Sequence, residues 1–256
     1  MIRKKQAKFL SLKNDKVESY KKLKSDSFIK FIEDNRAKYK VIFPAVINFL
    51  RDAKPQDNLD KDDLEDFILL AQADVNSNER INQVLFDELL QHLVNTYSRV
   101  DFKHYRGAML EYFTMQIENN FLYVMYHEPR IYYRKKRLLN SKFYGYNSLV
   151  DIVKIKKDKS HLCLSECKAN INKQIKELKK GNNQSFKRKL KFMDNIEMKV
   201  SRLTIKPYGF VKVEKVLTSV NTPVVNLPSE YKRFKVIGLL EYYRTKNLDY
   251  LNKYIS

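Results

Sequence analysis

In the stretch HLCLSECKANI, residues 161–171, Glu166 and Lys168 stand two apart in an otherwise apolar run. The run reads as a β-strand, whose side chains alternate between faces. Glu166 and Lys168 therefore share a face with Leu164, while Cys163, Ser165 and Cys167 point the other way. Upstream, in NSLVDIVKIKK, residues 147–157, the same alternation puts Asp151 on one face with Leu149, Val153 and Ile155. A carboxylate buried among such neighbours is costly unless it is paired, protonated or bound to a metal. The polar turn KKDKSH allows a hairpin that brings Asp151 and Glu166 together. Two adjacent carboxylates repel each other, and a hard divalent cation, Mg²⁺ or Mn²⁺, relieves that repulsion while accepting phosphate oxygens as further ligands. Lys168 would then sit beside the metal-bound water and the substrate phosphate.

This arrangement resembles the PD-(D/E)XK, or restriction-endonuclease-like, nuclease superfamily. Its pattern is an acid on one strand followed by [D/E]-x-K on the next, here Asp151 and then Glu166-Cys167-Lys168. The resemblance covers about residues 103–215. It implies a metal-dependent endonuclease in which Asp151, Glu166 and Lys168 are catalytic. It also implies that Glu111, from the preceding helical stretch YRGAMLEYF, and the Cys167 carbonyl join Asp151 and Glu166 as metal ligands. Two departures leave the subfamily open. Asn147-Ser148 stand upstream of Asp151 where the pattern has a proline just before its acid, and no Gln-x-x-x-Tyr element follows: Gln174 meets Leu178, and Gln184 meets Arg188.

The tripeptide alone is not selective. Glu177/Lys179, Glu197/Lys199, Glu230/Lys232 and Asp101/Lys103 have the same letters. Only Glu166 and Lys168 lie in an apolar strand that follows a second strand bearing a lone Asp. His92, His104, His127 and His161 show no metal-ligand spacing; His127, in MYHEPR, reads as a structural histidine before one that approaches the site from a strand. Cys163 and Cys167, four apart on one strand, are roughly 13 Å apart, too far for a disulfide, and read as small core side chains facing a helix. With 5 glycines in the chain there is no Gly-rich phosphate loop.

The elements that must hold these residues follow from periodicity. Residues 1–98 read as helical, with helices over 27–39, 46–53 and 60–73 interrupted at Pro44, and a helix from about residue 78 capped by Asn78. From about residue 103 come a helix, three strands, a long polar helical stretch broken at Gly181, and two further strands. That order gives an α/β (α+β) class with a mixed central sheet flanked by helices. The expected division is a helical region over 1–98 and a nuclease-like domain over 99–256.

Charge points to the partner. The net charge of +20 suits a polyanion, and nucleic acid is the commonest. Residues 51–90 hold 11 acids against 4 bases, a net of −7, whereas residues 154–215 hold 18 bases against 6 acids, a net of +12. Lys173, Lys176, Lys180, Lys187, Arg188 and Lys191 are the expected phosphate contacts. Tyr mixed with basic residues in IYYRKKR and FYGYNS could stack on bases. The acidic helical face is a candidate for self-association as a homodimer or for a protein partner. No apolar run approaches the ~18 residues of a membrane span, and the chain is read as a cytoplasmic protein. DNA is the expected substrate, in restriction or anti-phage defence among other settings. An RNase on the same scaffold and a non-catalytic nucleic-acid-binding or assembly subunit with a vestigial site are the alternatives.

Overall fold

The computed structural model describes residues 10–13, 23, 25–117, 122–133, 136–137, 150–201, 212–221 and 224–241. Residues 143–148, which include the FYGYNS stretch, residues 134–135 of IYYRKKR, and residues 147–149 upstream of Asp151 lie outside them. Two compact units divide the chain, one of Glu18–Tyr112 and one of Met1–Val17 with Phe113–Ser256. The division falls inside a helix, between Tyr112 and Phe113.

The helical unit carries α1 (Ser27–Asp34), α2 (Tyr39–Asp52), α3 (Lys61–Ala73), α4 (Gln83–Tyr97) and most of α5 (Phe102–Ile117). Asp26 caps α1 by accepting from Phe28 N at 3.0 Å. Asp60 and Asp63 form a capping box on α3, with Asp62 and Asp63 in its first turn, where the helix dipole favours acids. The helix does not stop at Pro44: α2 runs through it. The cost of a proline inside a helix is about 3 kcal/mol; fully buried Val41, Ile42, Phe43, Val46 and Ile47 on both sides of it offset that by burial of about 1.5–3 kcal/mol for each large side chain. And α4 starts at Gln83, not at 79, because Asn82 is the cap, its Oδ1 accepting from Leu85 N at 3.0 Å; Asn78 sits in a short 3₁₀ turn instead. Phe102 explains why α5 starts in this unit: its ring lies 5.5 Å from that of Phe49 and 5.2 Å from that of Tyr97.

The second unit is built on a five-stranded sheet of β2 (Tyr123–His127), β5 (Ile152–Lys156), β6 (His161–Lys168), β7 (Lys212–Ser219) and β8 (Lys235–Gly238), in that spatial order. β2, β5 and β6 form an antiparallel meander, and β6, β7 and β8 run parallel. The class is therefore mixed α/β with a mixed sheet. A separate small sheet joins β1 (Leu10–Lys13), β3 (Arg130–Tyr133) and β4 (Lys136–Arg137). β1 lies in the segment read as helical; it pairs with β3 some 120 residues on, a partnership that no local periodicity announces. The crossover from β6 to β7 passes through α6 (Ile171–Lys179) and α7 (Gln184–Ser201). Asn170 caps α6, accepting from Lys173 N at 3.0 Å. Gly181, at φ 78°, ends it as expected: Asn182 N donates to Glu177 O and Gly181 N to Leu178 O, both at 3.0 Å, the paired bonds of a Schellman motif. Asn183 then caps α7 by accepting from Phe186 N at 3.0 Å.

One face of the sheet, carrying Val153, Leu162, Leu164 and Leu217, shares a core with Ile171, Ile175, Phe186, Leu190, Met193 and Ile196 of the two crossover helices. On the other face Cys167 Sγ lies 3.5 Å from Thr114 Oγ1 of α5, so this cysteine does face a helix. Both cysteines are buried thiols, not joined in a disulfide. Among the described residues no helix is long and apolar enough to cross a membrane.

Candidate active site

The β5–β6 hairpin pairs Ile152 with Ser165 and Val153 with Leu164. Continuing that register one step places Asp151 across from Glu166. Asp151 immediately precedes β5, and its Oδ2 accepts from the backbone N of Cys167 at 2.8 Å. Both acids are buried, with 3% of Asp151 and none of Glu166 exposed. Lys168 sits two residues along the same face. Its Nζ donates to Glu166 Oε1 at 2.5 Å and to the Cys167 carbonyl at 3.0 Å, and lies 4.0 Å from Asp151 Oδ2. Strand alternation thus brings Asp151, Glu166, Lys168 and the Cys167 carbonyl into one cluster.

Two residues of this cluster were not anticipated. Lys189 of α7 reaches across the core, its Nζ 2.9 Å from Asp151 Oδ1 and 2.5 Å from Glu166 Oε1. At about 100° per residue, Lys189 falls within the arc of Phe186, Leu190, Met193, Ile196 and Val200, the buried stripe of α7. A lysine inside an apolar stripe was the available signal. Glu128, in the turn after β2, is the other. Its backbone N donates to Asp151 O at 2.7 Å, and one of its carboxylate oxygens lies within 4.8 Å of one of Asp151. Glu128 holds φ at 40°, a left-handed conformation unusual for a residue with a Cβ. Strain of this kind tends to persist where the surroundings impose it.

The electrostatics separate the two central acids. Burial pushes Glu166 up, and the nearby Asp151 charge pushes it further, to about 7, against the pull of Lys168 and Lys189. Burial also acts on Asp151, but there Lys189, Lys168 and the Cys167 N–H prevail and hold it below the usual carboxylate value. Burial disfavours the charged form of both lysines, yet the Glu166 and Asp151 charges outweigh it and raise both. Glu166 Oε2 is buried with no hydrogen-bond partner. An orphaned, buried carboxylate oxygen beside a second carboxylate fits a hard divalent cation, whose preferred ligands are oxygens.

Of the other predicted residues, Glu111 is half-buried on α5, one helical turn before Thr114. Lys173, Lys176 and Lys180 line an open depression of ≈ 430 Å³ together with Asn170, Asn172 and Glu177. Lys187, Arg188 and Lys191 fall on the side of α7 away from its buried stripe, with Lys191 exposed. His127 is buried at the end of β2, and His161 Nδ1 lies 2.8 Å from the Tyr123 hydroxyl. Of the other acid-x-Lys pairs, Asp101 is held by Arg99 at 2.9 Å. Glu197 is not a surface charge: it and Asp194 pair with the buried Lys215 of β7, Glu197 at 2.6 Å. That contact fastens α7 to the sheet and so fixes the phase at which Lys189 meets the acids.

No family model matches the chain, and no curated protein matches it.

Proposed function

We propose that this protein is a divalent-metal-dependent endonuclease acting on DNA, with its active site at the β5–β6 hairpin. The observation that carries the reading is the pairing of buried Asp151 and Glu166 across two strands, with Lys168 beside them and Glu166 Oε2 unpartnered. The mixed five-stranded sheet with its crossover helices supports it further, since a mixed central sheet flanked by helices is what the resemblance to the PD-(D/E)XK nucleases implies. Asp151 and Glu166 would hold Mg²⁺ or Mn²⁺, with Glu128, Glu111 and the Cys167 carbonyl as further oxygen donors. The bound cation supplies a Lewis acid for the phosphate and an activated water.

The chain's own groups do the rest. Asp151 is kept ionised and aimed by the Cys167 N–H. Lys168, held by the Cys167 carbonyl, presents an ammonium that orients the attacking water and steadies the scissile phosphate. Lys173, Lys176, Lys180, Lys187, Arg188 and Lys191 grip backbone phosphates and give affinity without sequence information.

The test is incubation of plasmid DNA, and separately of structured RNA, with Mg²⁺, with Mn²⁺ and with EDTA. Metal-dependent DNA cleavage that disappears in Lys168→Ala, with DNA binding retained, is the expected result. Cleavage of RNA alone would reassign the substrate. Binding without cleavage in either metal would leave a nucleic-acid-binding subunit.

A further inference from the structure

The geometry points to Lys189 as a tethered cation that competes with the divalent metal for the seat between Asp151 and Glu166, and so sets how much metal the site needs. This rests on the nuclease reading above. Asp151 Oδ2 accepts from Cys167 N, and Lys189 takes the other oxygen, Oδ1, at 2.9 Å. The same ammonium lies 2.5 Å from Glu166 Oε1. One positive group thus bridges the two acids. Glu166 Oε1 already carries two ammonium groups, Lys168 and Lys189, each at 2.5 Å, so a divalent ion approaching the same two acids meets strong repulsion where water is scarce.

Lys189 is also placed to leave. Its side chain is 21% exposed, against 0% for Glu166, so its stem has a route to solvent. Its helix does not depend on it for position, since Asp194 and Glu197 hold α7 to Lys215. Lys168 differs: the Cys167 carbonyl gives its ammonium an anchor outside the bridge. Lys189 belongs to a different face of α7 from Lys187, Arg188 and Lys191, which separates it from the DNA-gripping set. With Lys189 in the seat, the two buried carboxylates stay compensated. Metal must displace it, which raises the concentration at which the site fills.

Calorimetric titration of the full chain with Mn²⁺, after EDTA treatment and without DNA, tests this in the wild type, Lys189→Gln, Lys189→Arg and Glu166→Gln. Competition predicts that Lys189→Gln binds Mn²⁺ about tenfold tighter than the wild type, that Lys189→Arg binds it no tighter, and that Glu166→Gln loses the site. In EDTA, Lys189→Gln should melt below the wild type and gain more from saturating Mn²⁺. Equal or weaker Mn²⁺ binding by Lys189→Gln, with Glu166-dependent binding intact in the wild type, overturns the role of Lys189 alone. Absence of Glu166-dependent binding in the wild type and in Lys189→Gln overturns the nuclease reading along with it. Should Lys189→Gln aggregate without metal, Lys189→Arg decides: weaker Mn²⁺ binding supports competition, and tighter binding refutes it.

Discussion

Asp151 Oδ2 accepts a hydrogen bond from the backbone N–H of Cys167, 2.8 Å away, so the carboxylate at the start of β5 is fastened to the strand that carries Glu166 and Lys168. The bond aims Asp151 and favours its ionised form at once. Asn at this position can still accept from Cys167 but cannot balance Lys189. Asp151→Asn is therefore expected to fold with a modest loss of stability and to lose cleavage. Asp151→Ala strands the Cys167 N–H as well and should cost about 1–3 kcal/mol more, the penalty of an unsatisfied buried donor. Urea denaturation of the two variants alongside a cleavage assay checks the difference. Equal stabilities would remove any energetic role for the Cys167 bond.

Glu166 gives the stability of the protein a signature in pH. Its carboxyl, pushed from 4.5 to about 7 by burial and by Asp151, binds its proton more tightly in the folded than in the unfolded chain. Its contribution to stability is therefore full below pH 4.5 and falls as pH rises through about 7. Asp151 is depressed, so its contribution is lost only as pH falls below the usual carboxylate range. Lys168 and Lys189 are raised and lose theirs only in strong alkali. His92 and His161, held below the usual imidazole value mainly by burial, also titrate between pH 5 and 7.5, but they do so in both proteins, so the difference between wild type and Glu166→Gln isolates Glu166. In EDTA, Tm of Glu166→Gln relative to wild type should climb across that window, whatever its starting sign. Parallel melting curves from pH 5 to 7.5 would contradict the burial of an ionisable Glu166. Mn²⁺ affinity of the wild type should rise over the same range as the competing proton leaves.

The hairpin and its shared acidic face were legible because strand alternation is strict: once residues 151–155 and 161–168 are strands, Asp151, Glu166 and Lys168 have one face to share. Gly181 was legible because few residues but glycine adopt φ 78° at a helix end. Lys189 was not, because Lys187, Arg188, Lys189 and Lys191 look alike by composition, and only the phase of the buried stripe separates the inward lysine from the outward ones. Glu128 was hidden by its turn, since its place depends on a left-handed backbone that its residue type does not announce. Asn78 and Asn82 are both good caps by residue type, and it is Asn82 whose side chain accepts from Leu85 N, while Asn78 lies in a 3₁₀ turn. Pro44 misled because propensity counts the lost hydrogen bond and not the buried side chains around it.

The outward side of α7 makes a separate prediction about binding. Lys187, Arg188 and Lys191 are expected to meet phosphates, so their combined neutralisation to Gln should weaken DNA binding uniformly across sequences. The slope of log K against log salt should flatten by about 1 for each phosphate no longer neutralised, up to about 3 in all. Neutralising Asp62, Asp63 and Asp66 of α3 to Asn should leave the slope unchanged. Fluorescence anisotropy with a labelled duplex between low and physiological salt measures both. A slope unaffected by the basic triple variant would move the DNA-binding surface away from α7.

The last prediction concerns which carboxylate completes the oxygen set beside Asp151 and Glu166. Sequence pattern nominates Glu111, one turn before Thr114 on α5; the structure puts Glu128 within 4.8 Å of Asp151, tied to it by a backbone bond of 2.7 Å. Gln is nearly isosteric with Glu and removes only the charge, so Glu111→Gln and Glu128→Gln separate the two by sign. An acid that serves as a ligand repels its neighbours when the cation is stripped. Its replacement should then leave Tm in EDTA equal or higher, while Mn²⁺ binding weakens by about tenfold or more and cleavage falls with it. An acid that serves only structure should lower Tm equally with and without Mn²⁺ and leave the Mn²⁺ affinity unchanged. The expected outcome is that Glu128→Gln and Glu111→Gln both behave as ligand losses. If only one does, the set contracts to Asp151, Glu166 and that residue. If neither does, two carboxylates and the Cys167 carbonyl hold the metal alone, and the left-handed turn at Glu128 needs another explanation.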